Sequence, residues 1–291
     1  MSSDDDQTPP EKPARRRGRP RHDIGAAAIN DDRPFVSSLA RGMAILRAFR
    51  AEDRVLGTQA LAERTGLHKT TVSRLLGTLT KLGYLRYLPE YGKYAVSNQV
   101  LTLGYAALGR HGFGEMVRVH LEAIASRGDC VAALSVRDGS DMMFVELIRK
   151  PTAVVLNLQV GSRIPLAESA PGRAYLFALS PAERAEVYEM LATLHGDAWE
   201  REKRPALDAA LERMARDGYA SSFGEWHARH NAIGVPILDP LTRDIFTISV
   251  GCNSANVPLE VMLKEHLPLL LNASREISNL SGSSFASDPG A

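Results

Sequence analysis

Thr58-Gln-Ala-Leu-Ala-Glu-Arg-Thr65, Gly66-Leu67 and His68-Lys-Thr-Thr-Val-Ser-Arg-Leu-Leu-Gly-Thr-Leu79 follow one another without a break. The stretch reads as two short helices joined by a tight turn. Thr58 is placed to cap the first helix by accepting a backbone N–H bond, and Leu61 and Ala62 begin its apolar stripe. Gly66 falls where the chain reverses, and glycine tolerates the positive φ often needed at a helix C-terminus. Leu67 plugs the space between the helices. On the second helix Val72, Leu75, Leu76 and Leu79 recur at i, i+3, i+4 and i+7, which makes one buried face. Lys69, Thr70, Ser73 and Arg74 lie elsewhere on the wheel, and Thr71 is counted with them. Such hydroxyls and cations bond phosphate oxygens and base edges. The pair therefore has the make-up of a helix-turn-helix whose second helix enters the DNA major groove. An αα-hairpin with a solvated charged face would show the same pattern.

The next segment favours the first reading. Helical period ends at Gly83, and residues 84–88 and 93–96 look like two strands around the turn Pro89-Glu-Tyr-Gly92. A hairpin directly after a recognition helix is a wing, and it brings Arg86 and Lys93 within reach of the flanking DNA. The same hairpin also serves as a structural cap on the helices.

Several motifs together resemble the IclR-type transcriptional regulators. In the first part of the chain these are Ser38-Leu-Ala-Arg-Gly-Met-Ala-Ile-Leu46, Gly66-Leu-His-Lys-Thr-Thr-Val-Ser-Arg-Leu-Leu76 and Leu82-Gly-Tyr84. Downstream come Val160-Gly-Ser-Arg-Ile-Pro-Leu166, Ser169-Ala-Pro-Gly-Arg173, Gly218-Tyr219 and Asn231-Ala-Ile-Gly-Val-Pro-Ile237. The resemblance covers residues 35–280, with the motifs in family order and at family spacing.

Composition fits a two-part molecule. The 291 residues carry a net charge of +1, which conceals an asymmetry. Residues 34–96 hold ten Lys and Arg against four Asp and Glu, so the part after residue 97 is acidic. A basic module joined to a mildly acidic body suits a DNA-binding head with a second function attached. No run of 18 apolar residues indicates a membrane span, and the polar, acidic start lacks the apolar core of a signal peptide. Cys130 and Cys252, the only cysteines, support neither a disulfide framework nor a zinc site by spacing. A cytoplasmic protein is the reading.

Residues 1–33 have the composition of a disordered tail. Inside it lies Arg15-Arg-Arg-Gly-Arg-Pro-Arg21, whose Arg17-Gly-Arg-Pro20 core resembles an AT-hook. One reading sends Arg17 and Arg19 along the floor of a narrow A·T-rich minor groove. The other is a basic run that adds only non-specific attraction. Residues 38–49 fit an amphipathic helix capped by Ser37 or Ser38. Residues 97–108 read as a linker helix, and Gly109-Arg-His-Gly-Phe-Gly114 reads as a hinge, because the glycine order is wrong for a dinucleotide fingerprint.

The body, residues 115–285, mixes helices and strands without strict βαβ alternation. The reading gives helices at 115–127, 205–216 and 259–280, and a capped helix start at Ser180-Pro-Ala-Glu183. It places strands at 130–136, 142–149, 153–160, 233–238 and 245–250. This argues for an α+β fold around an antiparallel sheet, and the resemblance implies a GAF-like effector-binding domain. The expected domains are thus a tail (1–33), a winged helix-turn-helix head (34–96), a linker helix (97–114) and the body (115–285).

Ser169-Ala-Pro-Gly-Arg173 leads into a helix read at 173–179, and free amides at a helix start attract anions. Pro171 has no N–H, so Ser169, Ala170 and Gly172 would donate. An ordinary helix cap is the alternative use. The resemblance implies that this loop lines the effector pocket, with Glu225, Asn231 and Ala232 from a second loop and Ser249 and Gly251 from a late strand. Arg229-His230 departs from the glycine that many relatives carry, and either residue could pair with a ligand carboxylate or sit on the surface. His227 and His230 are three apart, but without an HExxH motif or a cysteine pair a metal site is not expected.

No nucleophile elbow, Walker loop or Rossmann fingerprint occurs, so no catalytic residue and no cofactor is expected. The reading is a DNA-binding regulator, a homodimer or homotetramer on double-stranded operator DNA. A small organic acid bound in the body controls it, for a catabolic operon. A body that only oligomerises, or an enzyme with an accessory DNA-binding head, are the alternatives.

Overall fold

The computed structural model describes residues 35–50, 52–108, 113–153, 156–240 and 242–280. Arg17 and Arg19, and residues 109–112 of the expected hinge, lie outside them.

The head has three helices, α1 (Ser37–Arg47), α2 (Thr58–Thr65) and α3 (Lys69–Lys81). Ile45, Leu61, Val72, Leu76 and Leu79 close its core with Leu56 and Leu85. Each such side chain, fully buried, contributes about 1.5–3 kcal/mol. Gly66 ends α2 at φ 66°, as the reversal requires. The expected caps do not form. Thr58 is already helical behind Gly57, and α1 begins at Ser37 behind Val36, with no side-chain cap bond at either helix. The end of α2 is held instead by Arg64, which donates to the Ala48 carbonyl at 2.9 Å and grips Asp53.

The wing is β1 (Leu85–Leu88) paired antiparallel with β2 (Lys93–Val96). A bridge between Leu56 and Tyr94 adds a third, very short edge that local pattern does not reveal. Helix α4 (Gln99–Leu108) follows, and the Ser97 hydroxyl accepts from its first amide at 3.2 Å.

The body runs α5 (Phe113–Ala125), β3 (Cys130–Asp138), β4 (Asp141–Arg149), β5 (Arg163–Pro165), α6 (Ala170–Ala178), α7 (Pro181–His195), α8 (Arg204–Asp217), β6 (Ala220–Phe223), β7 (His230–Leu238), β8 (Ile245–Asn253), α9 (Leu259–Val261) and α10 (Leu267–Leu280). Wide π turns, Trp199–Lys203 and Met262–His266, lead into α8 and α10. The sheet order is β5-β4-β3-β8-β7-β6, with every neighbouring pair antiparallel. Helices α5 and α10 cover one face, and α6, α7 and α8 cover the other.

Several expected elements change. Residues 156–160 do not form a strand: Gln159 N–H bonds the Ser162 hydroxyl, and Gly161 at φ 86° turns the chain; Gly161 and Ser162 bond Phe144 of β4, and the regular pairing is confined to β5. Helix α6 starts at Ala170 rather than Arg173, because Ser169 is its cap. Gly114 lies inside α5 rather than in a break. The last helix is interrupted by its π turn, and β6 was not foreseen. The capping box of α7 forms as read, with Ser180 N–H on the Glu183 carboxylate at 2.9 Å and Glu183 N–H on the Ser180 hydroxyl at 3.3 Å.

Helix α6 sits tightly. A Cβ on Gly172 would lie 1.9 Å from the Leu166 carbonyl oxygen, and one on Gly234 would lie 3.2 Å from the Ala170 backbone. Gly172→Ala is expected to cost at least the ~1–3 kcal/mol of an overpacked core, read as a lower urea midpoint. A midpoint equal to wild type would contradict this seating.

Candidate functional site

Two surfaces carry the residues singled out from sequence. On the head, Lys69, Thr70, Ser73 and Arg74 are exposed along one side of α3, while Val72, Leu76 and Leu79 are buried on the other. Thr71 is half-buried toward α1. The His68 ring nitrogen Nδ1 lies 2.9 Å from the Thr70 hydroxyl, which orients that group at the helix start. Arg86 and Lys93 are exposed on the two wing strands. Among the described residues no carboxylate pairs with Lys69, Arg74, Arg86 or Lys93, so their charge is free for a polyanion.

In the body, side chains alternate between the two faces of the sheet. Val131 and Ala133 of β3, Ala232 of β7, and Ser249 and Gly251 of β8 face α6 and line one cavity with Ser169, Ala170 and Pro171. Phe144, Ile164, Leu158, Ser222, Trp226 and His230 complete it. The space is about 20 Å³, room for roughly one water.

Five of the eight effector residues expected from sequence therefore share one cavity, and three do not. Gly172 is pressed against Leu166, and its N–H bonds the Ser169 hydroxyl at 3.3 Å. Glu225 turns away to pair with Arg173 at 2.5 Å and Arg213 at 3.8 Å. Burial pushes its carboxyl up, but the Arg173 hydrogen bond and the two guanidinium charges outweigh this and hold it low. Asn231 lies between His230 and Ala232, so alternation sends it to the opposite face.

Arg173, which the sequence reading passed over, is only 2% exposed and locks the cavity wall. Its guanidinium donates to the Ala167 carbonyl at 3.1 Å and the Ser221 carbonyl at 2.6 Å, besides Glu225. The Ser169 hydroxyl donates to the Pro165 carbonyl at 2.6 Å. Of the α6 donors, Ala170 N–H has no partner among the described residues.

His230 is the polar group of most consequence. It is 6% exposed, its Nδ1 has no hydrogen-bond partner among the described residues, and its ring stands edge-on to Trp226 at 5.7 Å. It lies so close over Gly251 that a Cβ there would meet Nε2 at 2.6 Å. His227 is exposed, so the two histidines do not converge. The signal for His230 was present in sequence as an unusual residue beside the motif. Trp226 and Phe144 gave no signal, because the loop and strand that carry them are brought together only by the fold.

Cys130 and Cys252 are far apart in sequence but directly opposite each other on β3 and β8, on the face turned away from the cavity. Each thiol perturbs the other: the neighbouring Cys252 pulls Cys130 down, while Cys130 and burial push Cys252 up. Strand register, which spacing in the sequence does not reveal, brings these two cysteines together.

Burial, and then the charge of His227, lower the His230 pKa from 6.5 to about 4. An unfolded chain therefore binds a proton at this site that the folded chain refuses between those values. Stability is full above pH 6.5 and falls as pH drops toward 4, by up to ~3 kcal/mol. His230→Gln is expected to flatten that part of the stability–pH curve, measured by urea unfolding at several pH values. An unchanged slope would contradict a buried neutral imidazole.

Two family models match the chain: the IclR helix-turn-helix domain over residues 38–89 and the bacterial transcriptional regulator IclR C-terminal region over residues 105–279. The HTH-type transcriptional regulator TsaQ1/TsaQ2 of Comamonas testosteroni is 32% identical over 84% of this chain and 87% of its own length. Among solved structures, an IclR family transcriptional regulator from Brucella abortus is 33% identical with a TM-score of 0.75, covering 87% of this chain and 96% of that one. An IclR homolog from Microbacterium hydrocarbonoxydans, solved in complex with 4-hydroxybenzoate, shares the fold at 22% identity and a TM-score of 0.64, covering 85% of this chain and 100% of that one. With an exposed basic recognition helix at one end and a matching regulatory body at the other, this chain belongs to the IclR family of DNA-binding transcriptional regulators.

Proposed function

We propose that the body binds a small organic acid in the cavity between α6 and the sheet, and that this controls DNA binding by the head. The observation that carries the reading is His230, which lines that cavity and whose Nδ1 is buried with no hydrogen-bond partner among the described residues. A buried polar atom without a partner is costly, and a ligand oxygen would satisfy it. The Ala170 amide at the start of α6 adds a second donor with the helix dipole behind it. Phe144, Trp226 and Ile164 supply apolar walls, which suits a flat, aromatic acid. The complex of the Microbacterium homolog with 4-hydroxybenzoate is in keeping with that class.

The cavity is too small for such a ligand as it stands, so binding must move a wall. The 224–229 loop carries Trp226 and leads into His230 at the start of β7, and it is the part to shift. A link toward the head exists at Asp138, which bonds Arg163 of β5 and, at 2.7 Å, Arg47 at the end of α1. A ligand changes DNA affinity only by its differential affinity for two arrangements of these parts.

The DNA-binding form is an oligomer, a homodimer or homotetramer. Leu39, Met43, Leu82 and Leu103 are exposed apolar residues around one groove of the head and linker, a face that a second copy would cover. Two heads then read two half-sites. Its place is the compartment that holds operator DNA, the cytoplasm, and a catabolic operon is the natural target of an acid-responsive regulator. An enzyme is disfavoured by the side chains: the Ser169 hydroxyl is spent on a carbonyl, and Cys252 lies on the other face from His230.

The test is a thermal-shift series of the full chain with 4-hydroxybenzoate, related aromatic acids and short-chain hydroxy acids. One class should raise the melting temperature by mass action, about 2.7 kcal/mol of stabilisation at a hundredfold excess over Kd, and should change DNA affinity. His230→Gln should remove most of that gain. If no acid shifts the melting temperature while DNA binding is intact, the body is an oligomerisation scaffold and the effector reading fails.

A further inference from the structure

A second cluster sits on the other face of the sheet, directly behind the cavity floor. Cys130 and Cys252 are paired in register on β3 and β8, and His266 comes in from the π turn before α10. All three are buried, at 0%, 0% and 1% exposure. Their Sγ, Sγ and ring-nitrogen atoms lie within 4.8 Å of one another, with 4.0 Å between Cys130 Sγ and His266 Nδ1. Among the described residues it is the one group of three or more His, Cys, Asp or Glu residues so gathered.

We propose that Cys130, Cys252 and His266 form a binding site for a soft d¹⁰ metal ion, Zn(II) or Cu(I). A metal–sulfur bond of about 2.3 Å and a metal–nitrogen bond of about 2.0 Å separate neighbouring donors by some 3.5–4 Å, so small side-chain rotations close the gaps. Two sulfurs and an imidazole are the donor types that select these ions over hard cations. The charge also balances in an interior that water does not reach. Zn(II) displaces both thiol protons and gives a neutral centre. Cu(I) displaces one, gives a neutral centre with the remaining thiol as a donor, and needs no fourth ligand. The ring is presented Nδ1 first: its Nε2 edge faces Gly128, where even a Cβ would come only to 3.8 Å. π turns recur at functional sites, and this one widens the helix at the residue that completes the set.

The position gives the site a consequence. Cys130 and Cys252 alternate with Val131 and Gly251, which face the cavity. An ion joining β3, β8 and the entry to α10 would stiffen the floor on which His230 rests.

The test uses the full chain, purified in reductant and stripped with chelator. It is titrated in separate arms with Zn(II) and with Cu(I), each against a chromogenic competitor. One equivalent per chain in either arm supports the site, and X-ray absorption of the loaded wild type should show a sulfur shell near 2.3 Å. Cys252→Ser should lose the bound equivalent, and its far-UV circular dichroism reports whether it has folded. The wild-type spectrum decides the matter even if that variant fails to fold. No stoichiometric uptake in either arm overturns the proposal. So does a shell of nitrogen and oxygen alone, which would place the ion on surface histidines, and so does a Cys130–Cys252 disulfide in peptides from the unreduced chain.

Discussion

The pairing of β3 with β8 at the centre of the body is the constraint on which the rest depends. It runs from Cys130 opposite Cys252 to Ser135 opposite Thr247, and alternation along it assigns each side chain to a face. Val131, Ala133, Ser249 and Gly251 are small and leave the cavity under α6. Cys130, Ala132, Leu134, Ile248, Val250 and Cys252 face α5 and α10 and pack the larger core. A slip of one residue would exchange these sets. A bulge between Leu134 and Ser135 alters the pairing with β4, and the Ser135 and Thr247 hydroxyls bond each other at 2.8 Å.

The same sheet explains why polar chemistry collects where it does. Glycines at 234 and 251 let α6 and the His230 ring approach the strands closely. That closeness leaves little space around the ring, and a buried imidazole nitrogen with no partner among the described residues is costly. Arg173 contributes by tying the 167–173 segment to β6 and Glu225. The head works by opposite means. The exposed side of α3 faces solvent, Lys69, Arg74, Arg86 and Lys93 have no carboxylate partner among the described residues, and the fold is held by a small core and the Arg64 clamp on Asp53.

Much of this was legible in the chain. The helix-turn-helix, the wing, the α7 capping box and the α+β class follow from periodicity, glycine placement and cap chemistry, which are local. Ser169 and Ala170 were singled out as donors at a helix start as well as by family motif, whereas Ala232, Ser249 and Gly251 came from the resemblance. What stayed hidden depended on register. Asn231 and Ala232 are adjacent, and only strand alternation separates the one that faces the cavity. Glu225 looks like a ligand group until Arg173 is seen to claim it. Cys130, Cys252 and His266 span more than half of the body, and no spacing rule brings them together. Over its described residues 156–160 the strand expected at 153–160 does not form, because a hydroxyl turn at Ser162 and Gly161 outweighs β-propensity.

The central claim is that the α3 face reads a defined DNA sequence. The most direct measurement is binding of the full chain to the DNA upstream of its own gene and to unrelated duplex, over a salt series, for wild type and for Lys69→Ala with Arg74→Ala. The account predicts a preference of about 10³-fold or more at physiological salt. It predicts that the double substitution abolishes the preference while leaving the body folded. Equal, steeply salt-dependent binding of wild type to both duplexes would reduce the head to phosphate attraction. A preference that survives the double substitution would move recognition away from α3.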